Sequence, residues 1–339
     1  MRMTPLAEAQ ILLKEFRKRQ RDLHMIRFFS AFVFISGGKV IHVTEPGMRF
    51  CPLVNILYGD FRRSKESSKE GLKHLIKGAI EKKISEYGHF TGKRCISSER
   101  IEVPYGASEI IMYGLREAIF DCAVMACDGA GTVVTERPEI AQGIGARMNG
   151  LFFTSPVKDT IANLEEEGCV LLGRKGEINQ VKGVRGAIAK GYRRIAVTVG
   201  GLYCESLKTL RELERRNGVS IAVFAVCTTG VNRKDVSKIK KYADLAWSCG
   251  SSEIREVLGK DAIIQLSEKI PVYIMTQKGV MAVSAYAGGT ALKRIVGTGG
   301  QYLVDSRREG RKIKVGDFKA YIKRAELPVR SDREPVLFR

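Results

Sequence analysis

Between residues 194 and 278 apolar, β-branched strings alternate with amphipathic stretches. RIAVTV (194–199), SIAVFAV (220–226) and DLAWSC (244–249) are followed by helical patterns at 203–216, 232–241 and 251–258. PVYIM (271–275) is followed by one starting near 278. Strands separated by 10–15 helical residues imply βαβ units and a parallel sheet. Nearly continuous apolar strings imply strands covered on both faces, and each crossover should be right-handed. The same grammar begins near 101, with a helix at 107–119, strand CAVMAC (122–127), a turn at 128–131 and strand TVVT (132–135). Helices open at Pro138 and after Pro156, followed by a strand near 169–172 and a helix near 178–190. The expected fold class is α/β, with an open, mainly parallel layered sheet and flanking helices over 101–295.

The N-terminal part follows a different pattern. Residues 5–27 read as a helix, with Pro5 in its first turn and apolar residues at helical spacing. Residues 28–36 and 40–44 flank Gly37-Gly38 as a β-hairpin, and 64–87 read as an amphipathic helix. After 295, the segments 302–305 and 312–315 read as a pair of short strands, and Pro328 and Pro335 as a loose tail. Four segments result: a basic N-terminal helix (1–27), a small hairpin and helix portion (28–100), the α/β domain (101–295) and a basic C-terminal extension (296–339).

Charge separates the flanks from the body. Residues 1–27, 62–100 and 307–339 carry net +4, +6 and +6 of the chain's +20, while 101–306 holds only +4. A basic flank is either a solvated surface or a docking face for an acidic protein or a nucleic acid. The longest apolar run, Phe28–Ile35, is less than half of the roughly 20 residues a spanning helix needs, so no membrane span is expected. The N-terminal residues show no signal-peptide pattern, which places the protein in the cytoplasm. The eight cysteines are then expected as thiols, and none forms a CxxC pair.

In an open α/β sheet, ligands sit outside the carboxyl ends of the strands. There the sequence places Cys127, Asp128, Gly129, Gly131 and Thr132, then Gly200, Gly201 and Cys204. Next come Cys227, Thr228, Thr229 and Gly230, then Cys249 and Ser251, then Thr276 to Gly279. Glycines admit a ligand close to the backbone, and the helix N-termini beyond favour an anion, so an anionic small molecule is the expected ligand. The Ser, Thr and Asn residues are equally ordinary N-caps. Cys127, Cys227 and Cys249 are candidate thiolate ligands for a soft metal or an Fe–S cluster. The alternatives are a reactive thiol, with Cys127 and Asp128 as catalytic candidates, or simple buried cysteines. Cys122, five residues before Cys127 in one strand, falls on the opposite face. In QGIGAR (142–147), Gly143 and Gly145 interrupt a helical pattern. Close approach of a ligand or another element would explain them, and Arg147 is a candidate anion clamp. Glu109 suits the first turn of its helix.

Several strings occur together in order. They are GKVIHV (38–43), FCPL (50–53), GASE (106–109), DCAVMACDGAGTV (121–133), QGIGAR (142–147), TSP (154–156), IAVTV (195–199) and FAVCTTG (224–230). This set resembles the methanogenesis marker protein 8 family, an archaeal group named for its occurrence in methane-producing organisms. The resemblance covers about residues 28–285, and the run from 121 to 147 is its specific part. At YGHFTGKRC (87–95) the chain departs from the family pattern, with His89 and Phe90 where a cysteine is expected. The resemblance implies a role connected with methanogenesis or related one-carbon metabolism, as an enzyme or a cofactor-maturation or binding factor. It supplies no reaction, and its oxygen-sensitive setting adds weight to cysteine ligation.

Overall fold

Hairpins and crossovers assemble two main sheets, both described here from a computed structural model covering residues 4–58, 68–287, 289, 292–294 and 297–338. The elements in chain order are α1 (Pro5–Arg19), β1 (His24–Phe28), β2 (Ala31–Ser36), β3 (Lys39–Val43), β4 (Met48–Phe50), α2 (Pro52–Tyr58) and α3 (Lys69–Tyr87). They continue with α4 (Ala107–Arg116), β5 (Cys122–Cys127), β6 (Gly131–Thr135), α5 (Pro138–Gly145), β7 (Gly150–Thr154), α6 (Lys158–Glu166) and β8 (Val170–Leu171). Next are α7 (Gln180–Ala189), β9 (Arg194–Gly200), α8 (Glu205–Asn217), β10 (Ser220–Val226), α9 (Arg233–Tyr242), β11 (Leu245–Trp247) and α10 (Ser252–Gly259). The last are β12 (Ile264–Leu266), β13 (Val272–Ile274), α11 (Gln277–Tyr286), β14 (Tyr302–Asp305), β15 (Arg311–Val315), β16 (Phe318–Arg324) and β17 (Val336–Leu337).

The α/β fold holds, with one large mixed sheet and flanking helices. Its order is β15-β16-β14-β12-β13-β11-β10-β9-β5-β6-β8. The neighbours β5, β9, β10 and β11 run parallel, with Ser220 opposite Arg194 and Phe224 opposite Leu245. Each strand is buried on both faces. From β10, Ile221 and Val223 pack with Val184, Leu207, Val236 and Leu258 of α7–α10. Ala222 and Phe224 pack with residues of α4, α5, α6 and α11 on the other face. Cys122 and Cys127 divide between these two cores, as their odd spacing requires.

The strand at 271–275 does not continue the parallel set. β13 is antiparallel to both β11 and β12. The short link between β12 and β13 forces this, because a parallel return needs a dozen or more residues. Thr276 to Gly279 therefore lie at the opposite rim, where Thr276 Oγ1 donates to Asp244 Oδ1 at 2.6 Å. β14 and β15 share the sheet without pairing, since β16 lies between them. The C-terminal tail is docked. Leu327 is buried, Gln265 receives the Val329 N–H at 2.9 Å, and β17 pairs with β4.

A second, antiparallel sheet, β3-β2-β1-β7, contains the expected hairpin around Gly37-Gly38. Residues 24–28 form β1 and not the end of the first helix, which stops at Arg19. The helix expected at 64–87 is described from Lys69, where the Ser68 hydroxyl accepts the Gly71 N–H at 3.1 Å; positions 64–67 lie outside the described residues. Leu72, Ile76 and Ile80 of this helix pack on Ile26, Val33 and Ile35 of the small sheet. No helix among the described residues is long and apolar enough to cross a membrane.

Candidate functional site

The carboxyl ends of β5, β9, β10 and β11 open into a cavity of about 780 Å³. That size suits a small molecule. Ala126, Val226 and Trp247 come from the strand ends, Phe28 and Leu151 from the small sheet, and Leu53 from α2. Four exposed basic residues, Lys269, Arg307, Lys319 and Arg333, also line it. Arg307 pairs with Glu268 and Asp305. Lys269, Lys319 and Arg333 form no ion pair among the described residues. The lining as a whole is balanced, since Glu102, Glu109, Glu268, Asp305 and Asp332 match Arg147, Lys269, Arg307, Lys319 and Arg333 in number.

Cys227 and Cys249 both line this cavity. Each follows its strand in the left-handed region, with φ of +54° and +45°. Non-glycine residues seldom sit there, and each costs about 1–3 kcal/mol. Burial raises the Cys249 thiol, and it pushes Cys227 up to about 12, with the neighbouring Cys249 adding to the rise.

Against the loop that follows Cys227 stands Arg27 of β1. It donates to the Thr229 carbonyl and to Ser30 Oγ at 2.8 Å. Its Nε is buried without a hydrogen-bond partner, and no carboxylate pairs with it among the described residues. Burial lowers its guanidinium below the usual value, and Cys227 and Cys249 act against that fall. Sequence reasoning missed Arg27 because it lay in a stretch read as helix.

The other predicted site residues build the walls. Asp128 is fully buried, accepting the Phe90 N–H at 2.6 Å and Arg94 Nε–H at 2.9 Å, with His89 Nδ1 3.4 Å away. Burial opposes its charge, but Arg94 and His89 outweigh burial and hold the carboxyl well below its usual range. Arg94 also donates to the Gly143 carbonyl at 3.0 Å, tying the 88–95 loop to α5. Neither Asp128 nor Cys127 lines the cavity. Cys127 is fully buried, with its sulfur 3.3 Å from the Asp128 carbonyl and its thiol raised by burial. The three thiols proposed as one metal set are thus divided. Among the described residues no group of three or more His, Cys, Asp and Glu is placed to hold a metal ion.

The glycines answer to neighbouring elements. A Cβ on Gly131 would lie 2.5 Å from the Glu177 carbonyl oxygen, and one on Gly143 2.1 Å from that of Ile96. On Gly145 it would lie 2.4 Å from the Ser108 Cβ, and on Gly129 3.0 Å from Val157. Gly230 leaves room for Arg27. The hydroxyls are engaged too. Thr132 accepts the Asn179 N–H at 2.7 Å, Thr228 donates to the Trp247 carbonyl at 2.5 Å, and Thr229 accepts the Gly250 N–H at 2.9 Å. Ser251 caps α10 through the Ile254 N–H. Of the glycines, hydroxyl residues and basic clamp expected at the ligand rim, Gly145, Arg147, Gly200 and Gly201 reach the cavity. Arg147 is clamped to Glu102 at 2.7 Å and lies over the Tyr87 ring.

Three further residues shape the site. Glu109 accepts the Glu102 and Val103 N–H groups and the Ser108 hydroxyl, so its carboxylate fixes the loop entering α4. Lys83 is buried on α3 and donates to the Arg147 carbonyl at 2.9 Å and to Asn149 Oδ1 at 2.7 Å; burial pushes it down to about 7. Trp247, the chain's only tryptophan, donates its indole N–H to the Tyr105 carbonyl at 2.8 Å and stacks on Phe224.

No solved structure matches this chain. A protein of Methanocaldococcus jannaschii, described as uncharacterised, is 38% identical over 260 residues, covering 76% of this chain and 88% of that protein. The model of a family described as "Uncharacterized protein conserved in archaea (DUF2099)" matches residues 24–286, which span β1 to α11 and include the carboxyl ends of β5, β9, β10 and β11. The chain belongs to this archaeal family.

Proposed function

We propose that the cavity binds an anionic small molecule with a largely apolar body. In this reading the protein is an enzyme or a cofactor-maturation or binding factor connected with methanogenesis or related one-carbon metabolism. The observation that carries the ligand class is the cavity itself. Apolar residues line it from three parts of the chain, and Lys269, Lys319 and Arg333, which form no ion pair among the described residues, are cations available to an anionic end. The apolar surface supplies the area and the cations orient the charged end. The metabolic setting draws on the resemblance of the ordered run at 121–147. A cytoplasmic location, where thiols stay reduced, suits the eight free cysteines.

Anaerobic purification from an archaeal host, followed by denaturing extraction and mass spectrometry, tests this reading. The wild type should release an anionic small molecule, and Ala126→Phe, which fills the cavity, should release far less. Equal recovery from both proteins, or none from either, would overturn it.

A second reading is docking of an acidic protein or a nucleic acid through the basic flanks. It draws on Arg311, Lys312 and Lys314, exposed along β15 at the sheet edge, and on Arg17, Lys18 and Arg19 ending α1. Such binding must weaken steeply with salt, and a flat response to salt excludes it. Charges on an edge strand also block unwanted strand pairing without any partner.

A further inference from the structure

β13 reverses the chain direction, but β12 reverses it again, and β14 runs parallel to β12. The carboxyl ends of β12 and β14 therefore return to the rim formed by β9, β10 and β11. The registers lay one row of residues along that rim. Gly200 lies opposite Val226, whose neighbour on β11 is Trp247. Trp247 lies opposite Val272, Val272 opposite Leu266, and Leu266 opposite Val304. Five strand spacings of about 4.8 Å make this row about 24 Å long. Gly200, Val226, Trp247 and Val272 line the cavity, as do Ser267 and Asp305, one residue beyond Leu266 and Val304. The cavity is thus a groove laid across the strands.

Its two ends differ in chemistry. At the β9 end the Phe152 and Tyr203 rings lie 5.5 Å apart, and the Tyr203 hydroxyl donates to the Phe152 carbonyl at 3.3 Å. No lining residue from β7, β9 or the turn after β9 is charged, among the described residues. At the β14 end stand Lys269, Arg307, Lys319 and Arg333 with Glu268, Asp305 and Asp332. Arg307 takes Glu268 and Asp305, which leaves the other three cations exposed and without an ion pair among the described residues. The remaining charged lining residues are already engaged. Arg147 pairs with Glu102 at 2.7 Å, and Glu109 accepts the Glu102 and Val103 N–H groups. An apolar group and an anion therefore find their favoured surroundings at opposite ends of the row, too far apart for a compact molecule to use both. We propose that the groove takes one extended ligand, an apolar or aromatic head at the β9 end joined by a chain to a carboxylate, sulfonate or phosphate at the β14 end. This names the class of ligand within the small-molecule reading and rests on it.

The probe is dansylaminoundecanoate, an aromatic head joined by a long chain to a carboxylate, titrated by fluorescence into the full chain. Dansylglycine, which holds the same two end groups close together, is the comparison. Tyr203→Ala should weaken the long probe about 10-fold, from lost apolar contact. Lys319→Glu should weaken it about 5-fold, the worth of one exposed ion pair. The two sites are far apart, so the double variant should lose about 50-fold, the product of the two. Dansylglycine should bind at least about 10-fold more weakly than the long probe and respond to one substitution at most. Lys312→Glu, exposed on β15 and outside the cavity lining, should leave both probes unchanged. Tyr203 and Lys319 are exposed, and circular dichroism establishes that each variant is folded. The proposal is overturned if the long probe responds at only one end or at neither, or if dansylglycine binds as tightly. Release of a small anion from the wild type and its loss in Ala126→Phe is a separate readout. A compact molecule recovered there would sink the extended arrangement and leave the small-molecule reading standing.

Discussion

Asp128 shows why a residue at a strand's carboxyl end is not thereby a catalyst. Its two oxygens are committed to Phe90, Arg94 and His89, out of contact with the cavity. Removing its charge strands a buried Arg94, so Asp128→Asn should cost about 3–5 kcal/mol in urea unfolding. A loss under 1 kcal/mol would mean that the pair does not hold the 88–95 loop. His89 adds a pH signature. Burial, and then the nearby Arg94, push it down to about 3, below its ordinary 6.5. The unfolded chain therefore binds more protons than the folded one between these values. Stability should be complete above 6.5 and fall towards pH 3, by at most about 1.4 kcal/mol per pH unit for this group. His89→Gln should flatten that slope, and an unchanged slope assigns it elsewhere. Cys227 and Cys249 were legible because strand-end thiols follow from chain direction. Arg27 was not, because its role depends on a sheet contributed by another part of the chain.

At the scale of elements, local pattern located most strands and helices, including β5 and β10 to the residue. Direction was harder. β12 is only three residues long and offers little pattern, so the sequence does not show the forced return into β13 and reads 271–275 as parallel. The tail is hard to read from sequence for a related reason. Its prolines suggest irregular chain, yet side chains distant in sequence hold it. Gln265 bonds to Val329 in both directions, and Glu334 meets the buried Arg255 at 3.5 Å. Hydrogen exchange should find the Leu327 and Val329 amides protected, and Gln265→Ala should release Val329 first. Fast exchange of both amides in the wild type would contradict a docked tail.

Across the whole molecule, the expected concentration of charge on the flanks acquires a location. Arg307, Lys319 and Arg333 of the C-terminal segment reach the cavity that the parallel strands create. The basic extension therefore contributes to the same site as the α/β body. Trp247 makes this testable in solution, because the only indole of the chain lies against that cavity. Anilinonaphthalene sulfonate, an apolar fluorophore with one negative charge, is a fair mimic of the proposed ligand class. Titrated into the wild type, it should quench Trp247 by energy transfer along a saturable one-site curve. Added salt should weaken that binding, as should replacement of Lys269, Lys319 and Arg333 by alanine, and Ala126→Phe should abolish it. Non-saturating emission, or equal binding by the cavity-filled and charge-neutralised variants, would contradict a ligand site at the carboxyl ends of the strands.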